Sequence, residues 1–155
     1  MLKNEKRVFP SGASYAIIKK QRTDVGGETR GEADMEKIKK NLGFGFMRLP
    51  MQGEEVDLAQ TQQMVDAFLA AGFNYFDTAH GYLDGRSETA LKACLTSRYP
   101  REDYVLTNKL TANFFKTEAD IRPFFESQLA ACGVDDFDSV SYTHLRAHET
   151  RRHLV

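Results

Sequence analysis

The chain has no tryptophan, four prolines and only two cysteines in 155 residues. Two thiols, Cys94 and Cys132, are too few for a disulfide scaffold or a thiolate metal knuckle. Both fall on apolar helical positions and read as reduced core residues. Apolar runs are short: Tyr15–Ile18 has four residues and Ala67–Ala71 five. A transmembrane helix, which takes about 18 or more, is therefore excluded, and no stretch has the length of a signal-peptide h-region. Charge of one sign is also missing: 21 Lys and Arg against 22 Asp and Glu leave a net charge of −1. That balance makes no electrostatic case for nucleic acid or an anionic membrane surface. Several catalytic signatures are absent too. Gly43-Phe44-Gly45 stops short of GxGxxG, and there is no HExxH, CxxC pair or serine nucleophile elbow.

What is there is globular. Hydrophobic residues make up 41% of the chain, enough for a core, and the length suits one domain. The ends are basic and the middle acidic: residues 1–34 carry +2, residues 35–138 carry −5 and residues 139–155 carry +2. The middle reads as strand-helix repeats. Leu42–Leu49 (LGFGFMRL) predicts a strand with one face kept small by glycines. Asp57 predicts a helix cap, with Gln60 three residues on and an apolar stripe of Leu58, Val65, Phe68 and Leu69. Gly72 suits the end of that helix. Asn74–Ala79 is strand two. Ser87 is read as the cap of the next helix, with Glu88 favouring the dipole in its first turn and Ala90, Leu91, Cys94 and Leu95 facing the core. Tyr104–Lys109 is strand three. A third helix runs to Cys132, with Asp120 taken as its cap in preference to Thr117, so that Pro123 falls in the first turn. Phe137 opens strand four. Strand starts near 42, 74, 104 and 136 give a βαβ rhythm of about 30 residues. That rhythm suits a (β/α)8 barrel or an open doubly wound sheet.

Three residues carry the chemistry. Asp77 ends strand two, Tyr82 lies in the loop after it, and Lys109 ends strand three. In a parallel barrel the C-terminal ends of successive strands converge on one face. A phenol, with an ordinary pKa near 10, is a poor proton donor at neutral pH. A Lys ammonium beside it favours the phenolate, and a carboxylate keeps that ammonium charged and aimed. Such a set can protonate a carbonyl oxygen as hydride arrives at carbon. The plainer alternative makes Tyr82 a loop aromatic, Asp77 a cap and Lys109 a solvated strand end.

Residues 35–138 resemble the N-terminal half of an aldo/keto reductase. GFGFMRLP resembles the family's first barrel strand, YFDTAHGYLDGRSE its Asp and Tyr motif, TNKL its Lys strand and LAACGVDDFDS the approach to strand four. The first strand is most similar to a bacterial branch whose members often end in an iron-sulfur segment. The resemblance implies a (β/α)8 TIM barrel, truncated near strand four, and cytoplasmic NADP(H)-dependent reduction of small aldehydes or ketones. It assigns Tyr82 as proton donor, Lys109 as its electrostatic partner and Asp77 as the group orienting Lys109. Met47 and Arg48, with Asp77, match the cofactor side; no metal site is expected in this part. A fourth family residue, a His, should fall near position 143, where Thr143 stands beside His144. Two other readings stand beside it: a non-catalytic NADPH-binding barrel acting as sensor or subunit, as in potassium-channel β subunits, and a different (β/α)8 enzyme such as a phosphosugar isomerase.

The two ends fit no family pattern. MEKIKKNLGFGF from Met35 reads as a natural start, and Arg30-Gly31-Glu32 fits a purine-rich stretch spaced like a ribosome-binding site. Residues 1–34 are thus expected to be a non-native or disordered extension. Val140–Thr150 (VSYTHLRAHET) resembles one reading frame of a transposase sequencing adapter, so residues 139–155 are expected to be an artefact tail, with His144, His148 and His153 neither catalytic nor metal-binding. Sequencing the genomic locus across codons 136–156 is expected to depart from this sequence from about Ser139. A native reading frame that encodes it would contradict the reading.

Overall fold

The computed structural model describes residues 37–143 and two short strands ahead of them, β1 (Lys6–Val8) and β2 (Ser14–Ala16). Four strands follow the predicted rhythm: β3 (Gly43–Gly45), β6 (Tyr75–Asp77), β7 (Val105–Thr111) and β8 (Ser139–Thr143). Between β3 and β6 come a small antiparallel hairpin, β4 (Met51–Gln52) with β5 (Glu55–Val56), and helix α1 (Leu58–Ala70). Helix α2 (Arg86–Leu91), prolonged by a π turn over Lys92–Thr96, joins β6 to β7. Helix α3 (Glu118–Cys132) joins β7 to β8.

The sheet order is β1-β2-β8-β7-β6-β3, and β3, β6, β7 and β8 run parallel. These four lie side by side in chain order. A doubly wound sheet reverses its order at a switch point, so the unbroken order favours the barrel alternative. Among the described residues, β3 is the open edge of the parallel strands. β8, which on four parallel strands alone would be the other edge, is covered: β2 pairs with it antiparallel, Tyr15 opposite Ser141 and Ala16 opposite Val140. A strand that shows no period by itself can still satisfy a neighbour's backbone groups, which is why the pattern of residues 1–34 did not announce it.

Alternation along β3 sorts the two faces. Phe44 and Phe46 turn toward the helices and pack with Phe68 and Phe76, ring centroids 5.2–6.2 Å apart. Each such ring taken from water stabilises by about 1.5–3 kcal/mol, with about 0.5–1.5 more per aromatic pair. Leu91, Leu95, Leu106, Leu110 and both cysteines complete the core. Burial raises the pKa of both thiols, so neither is a reactive thiolate. No helix among the described residues is long and apolar enough to cross a membrane.

Local signals hold at several ends. Asp57 caps α1 by accepting from the Gln60 backbone N–H at 2.9 Å. Gly133 follows α3 at φ +69, the left-handed conformation that a helix C-terminus favours. Three readings need correction. Leu58 is 42% exposed, because it sits at the first turn of α1 above the packed stripe; Thr61 and Val65 are the buried positions. Ser87 is not a cap: Gly85 precedes α2, and Ser87 lies fully buried with its hydroxyl donating to the Phe46 carbonyl at 2.9 Å. Asp120 is not the cap of α3 either. Thr117 is, and the Asp120 carboxylate reaches back to accept from the Thr117 backbone N–H and hydroxyl, each at 2.9 Å. The reciprocal bonds of this box outweigh the position of the proline.

Pro123 therefore lies inside α3, exposed, where its ring faces the Ala119 carbonyl and offers no N–H to it. An interior proline costs about 3 kcal/mol, partly offset by the stiffer unfolded chain. Pro123→Ala is expected to stabilise the full-length protein by roughly 1–2 kcal/mol, read as a higher urea midpoint. A lower midpoint would contradict this account of the helix.

Candidate active site

Register builds the site. Parallel pairing sets Gly45 of β3, Asp77 of β6 and Thr107 of β7 side by side. Lys109 lies two residues beyond Thr107, on the same face of β7. Its Nζ donates to both Asp77 carboxylate oxygens, at 2.5 and 2.6 Å, and lies 3.4 Å from the Thr78 carbonyl. Burial opposes the charged amine, but the Asp77 carboxylate and the Tyr82 phenol outweigh it, and the Lys109 pKa moves up. Lys109 is thus not a solvated strand end, and Asp77 is not a helix cap.

Tyr82 arrives from the loop after β6. Its backbone N–H donates to the Ala79 carbonyl at 3.1 Å, and it opens a short 3-10 turn, Tyr82–Gly85. The Lys109 ammonium sits 4.8 Å from the centre of the Tyr82 ring. Leu83 and Asp84 follow with φ of +51 and +54, a left-handed backbone that L residues rarely adopt. Such strain costs of order 1–3 kcal/mol per residue and persists only where neighbours impose it. Here Arg86 imposes it in part: Nε donates to the Leu83 carbonyl at 2.9 Å, and its guanidinium also reaches the Glu54 carbonyl in the β4–β5 turn.

Space remains beside the pair. At Gly45, in register with Asp77, nothing lies within 4 Å of where a Cβ would stand. The Phe46 N–H donates to the Asp77 carbonyl at 2.8 Å and pins the end of β3 there. Met47 and Arg48 come next and are exposed. The structure therefore brings Asp77, Tyr82 and Lys109 together and sets Met47 and Arg48 beyond the same strand end. Thr143 ends β8, in register with Thr111 at the end of β7, whereas His144 lies outside the described residues. Among the described residues no group of three His, Cys, Asp or Glu could hold a metal ion.

The sequence reading missed a second layer of polar residues on the helix side of β7. Glu88 is 1% exposed. Its Oε1 accepts from Asn108 Nδ2 at 2.9 Å and Gln128 Nε2 at 3.2 Å, and its Oε2 pairs with His80 Nδ1 at 2.9 Å. In the sequence Gln128 falls among the apolar helical positions Ile121, Phe124, Phe125, Leu129 and Cys132, an amide among hydrophobes, and that was the available signal. Glu88, at the start of a helix, looked like an ordinary dipole partner.

Comparison with known proteins bears on the family and the fold. The family model described as "Aldo/keto reductase family" matches residues 41–151. No sequence among curated proteins matches the chain. Among solved structures, an aldo-keto reductase from Klebsiella pneumoniae in complex with NADPH shares the fold, with a TM-score of 0.51 and 23% identity. The match covers 61% of this chain and 32% of that one, so the chain spans about a third of that relative's length. Four parallel strands in chain order are thus part of an aldo-keto reductase barrel, and the chain belongs to the aldo/keto reductase family.

Proposed function

We propose that the protein to which this chain belongs reduces aldehydes or ketones to alcohols with NADP(H). The observation that carries the reading is the Lys109–Asp77 ion pair set against the Tyr82 ring. Tyr82 donates its hydroxyl proton to the substrate's carbonyl oxygen. Lys109 stabilises the phenolate left behind, and Asp77 keeps the ammonium charged and aimed. When bound, the nicotinamide supplies the hydride that the carbonyl carbon receives. The open space at Gly45 suits a flat ring beside Asp77, and Met47 and Arg48 would line its approach. The NADPH held by the Klebsiella pneumoniae structure supports the same cofactor here.

In the full-length enzyme, Tyr82→Phe keeps the ring over Lys109 and removes only the hydroxyl. kcat is expected to fall by about 10² or more with NADPH affinity nearly unchanged, the scale of lost general acid catalysis. A loss under about threefold would sink the assignment of Tyr82.

By itself the 155-residue chain is expected to be inactive. The sheet has four parallel strands, whereas a closed barrel takes eight. β3 leaves unpaired backbone groups at an edge flanked by Leu42 and Met47, 56% and 50% exposed. The expected behaviour is association or a loosely packed state, without turnover. Purification, NADPH titration and urea denaturation of the chain check this. A monomer with a cooperative transition and about micromolar NADPH affinity would contradict it.

A further inference from the structure

We propose that Glu88 is a positioning residue, a buried carboxylate that ties the loop bearing Tyr82 to the strand bearing Lys109 and so sets the gap between phenol and ammonium. The inference rests on the functional reading above and adds a residue to it. A carboxylate taken out of water destabilises the fold unless its oxygens are met, and an apolar residue would fill the same space without that cost. All three partners of Glu88 converge on the catalytic pair. Asn108 immediately precedes Lys109, and its Oδ1 accepts from the Lys109 backbone N–H at 2.7 Å. Gln128 Nε2 donates to the Lys109 carbonyl at 3.0 Å. The two amides that meet Glu88 Oε1 thus hold the backbone of Lys109 at both ends.

The other oxygen serves the loop. His80 stands two residues before Tyr82, and its Nδ1 meets Glu88 Oε2 at 2.9 Å. The imidazole is gripped edge-on by Phe114 and Phe124, with ring centroids 4.8 and 5.1 Å away. Beyond Tyr82 the backbone is left-handed at Leu83 and Asp84, a conformation that relaxes unless both flanks are anchored. Arg86 anchors the far flank and His80 the near one. The position of the phenol over Lys109 depends on that near anchor. Misplacement by about 1 Å can cost about 10²-fold in rate, and the help an ammonium gives a phenolate falls with distance.

The test spares the core, since Glu88→Ala would empty a buried site and the chain could fail to fold. His80 is partly exposed and is changed instead, in the full-length enzyme. His80→Phe keeps the aromatic contacts and removes the bond to Glu88. His80→Asn restores an amide donor near the position of Nδ1, and His80→Gln carries its donor one bond too far. For His80→Phe, kcat is expected to fall about 10-fold or more below the melting range, with NADPH Kd within about twofold of wild type and Tm lowered because Glu88 Oε2 loses its partner. His80→Asn is expected within about threefold of wild-type kcat, with His80→Gln as low as His80→Phe. An unchanged kcat in His80→Phe, or a loss that His80→Asn does not recover, overturns the inference while wild-type turnover leaves the functional reading standing. A wild-type enzyme that neither binds NADPH nor reduces any carbonyl overturns both.

Discussion

The site depends on one ion pair across two neighbouring strands. Lys109 reaches Asp77 at 2.5 Å because the parallel ladder sets Asp77 opposite Thr107, and because side chains two residues apart on a strand share a face. A slip of one residue in β7 would send Lys109 to the helix layer and bring Asn108 to the site. Register is protected by the core on the opposite face. Leu106 and Leu110 belong to the core cluster packed against the helices, and a slip would pull both out of it. Hydrophobic burial on one side of β7 therefore holds the charged pair on the other.

That division explains where the polar residues lie. The face carrying Asp77 and Lys109 is kept open by Gly45, while the helix face is filled by phenylalanine and leucine. Polar groups still enter the helix layer at the top of β7, as Glu88, Asn108 and Gln128, and there they are bonded to one another and to the Lys109 backbone. Ser87, beside Glu88, does similar work. It donates to the Phe46 carbonyl and accepts from the Thr78 hydroxyl at 2.7 Å, joining the ends of β3 and β6 to α2. The Ser-Glu pair thus ties α2 to the ends of β3 and β6, to β7 and to α3.

The sheet edges are treated unequally. β8 is covered by β2, whereas β3 is open. In a closed barrel the first strand finds a partner among the last. The short β3 and its exposed apolar flanks belong to a strand that expects a neighbour.

Much was legible from the residues in order. Alternating glycine and phenylalanine, the Asp57 cap, the glycine after Cys132 and the 30-residue rhythm are local signals, set by backbone sterics and period, although the strand expected over Leu42–Leu49 forms only at Gly43–Gly45. That Asp77, Tyr82 and Lys109 would meet was legible too, because each sits a few residues from a strand end and parallel strands bring their ends together. Other features depended on distant parts of the chain. Nothing near Ser87 or Glu88 says that their partners are Phe46, Thr78, Asn108 and Gln128, up to 41 positions away. By local rules both looked like a helix start meeting water and a dipole. Whether a polar side chain near a helix end serves its own helix or a neighbouring strand depends on what packs over it. Packing joins residues far apart in sequence, so only the tertiary structure decided it.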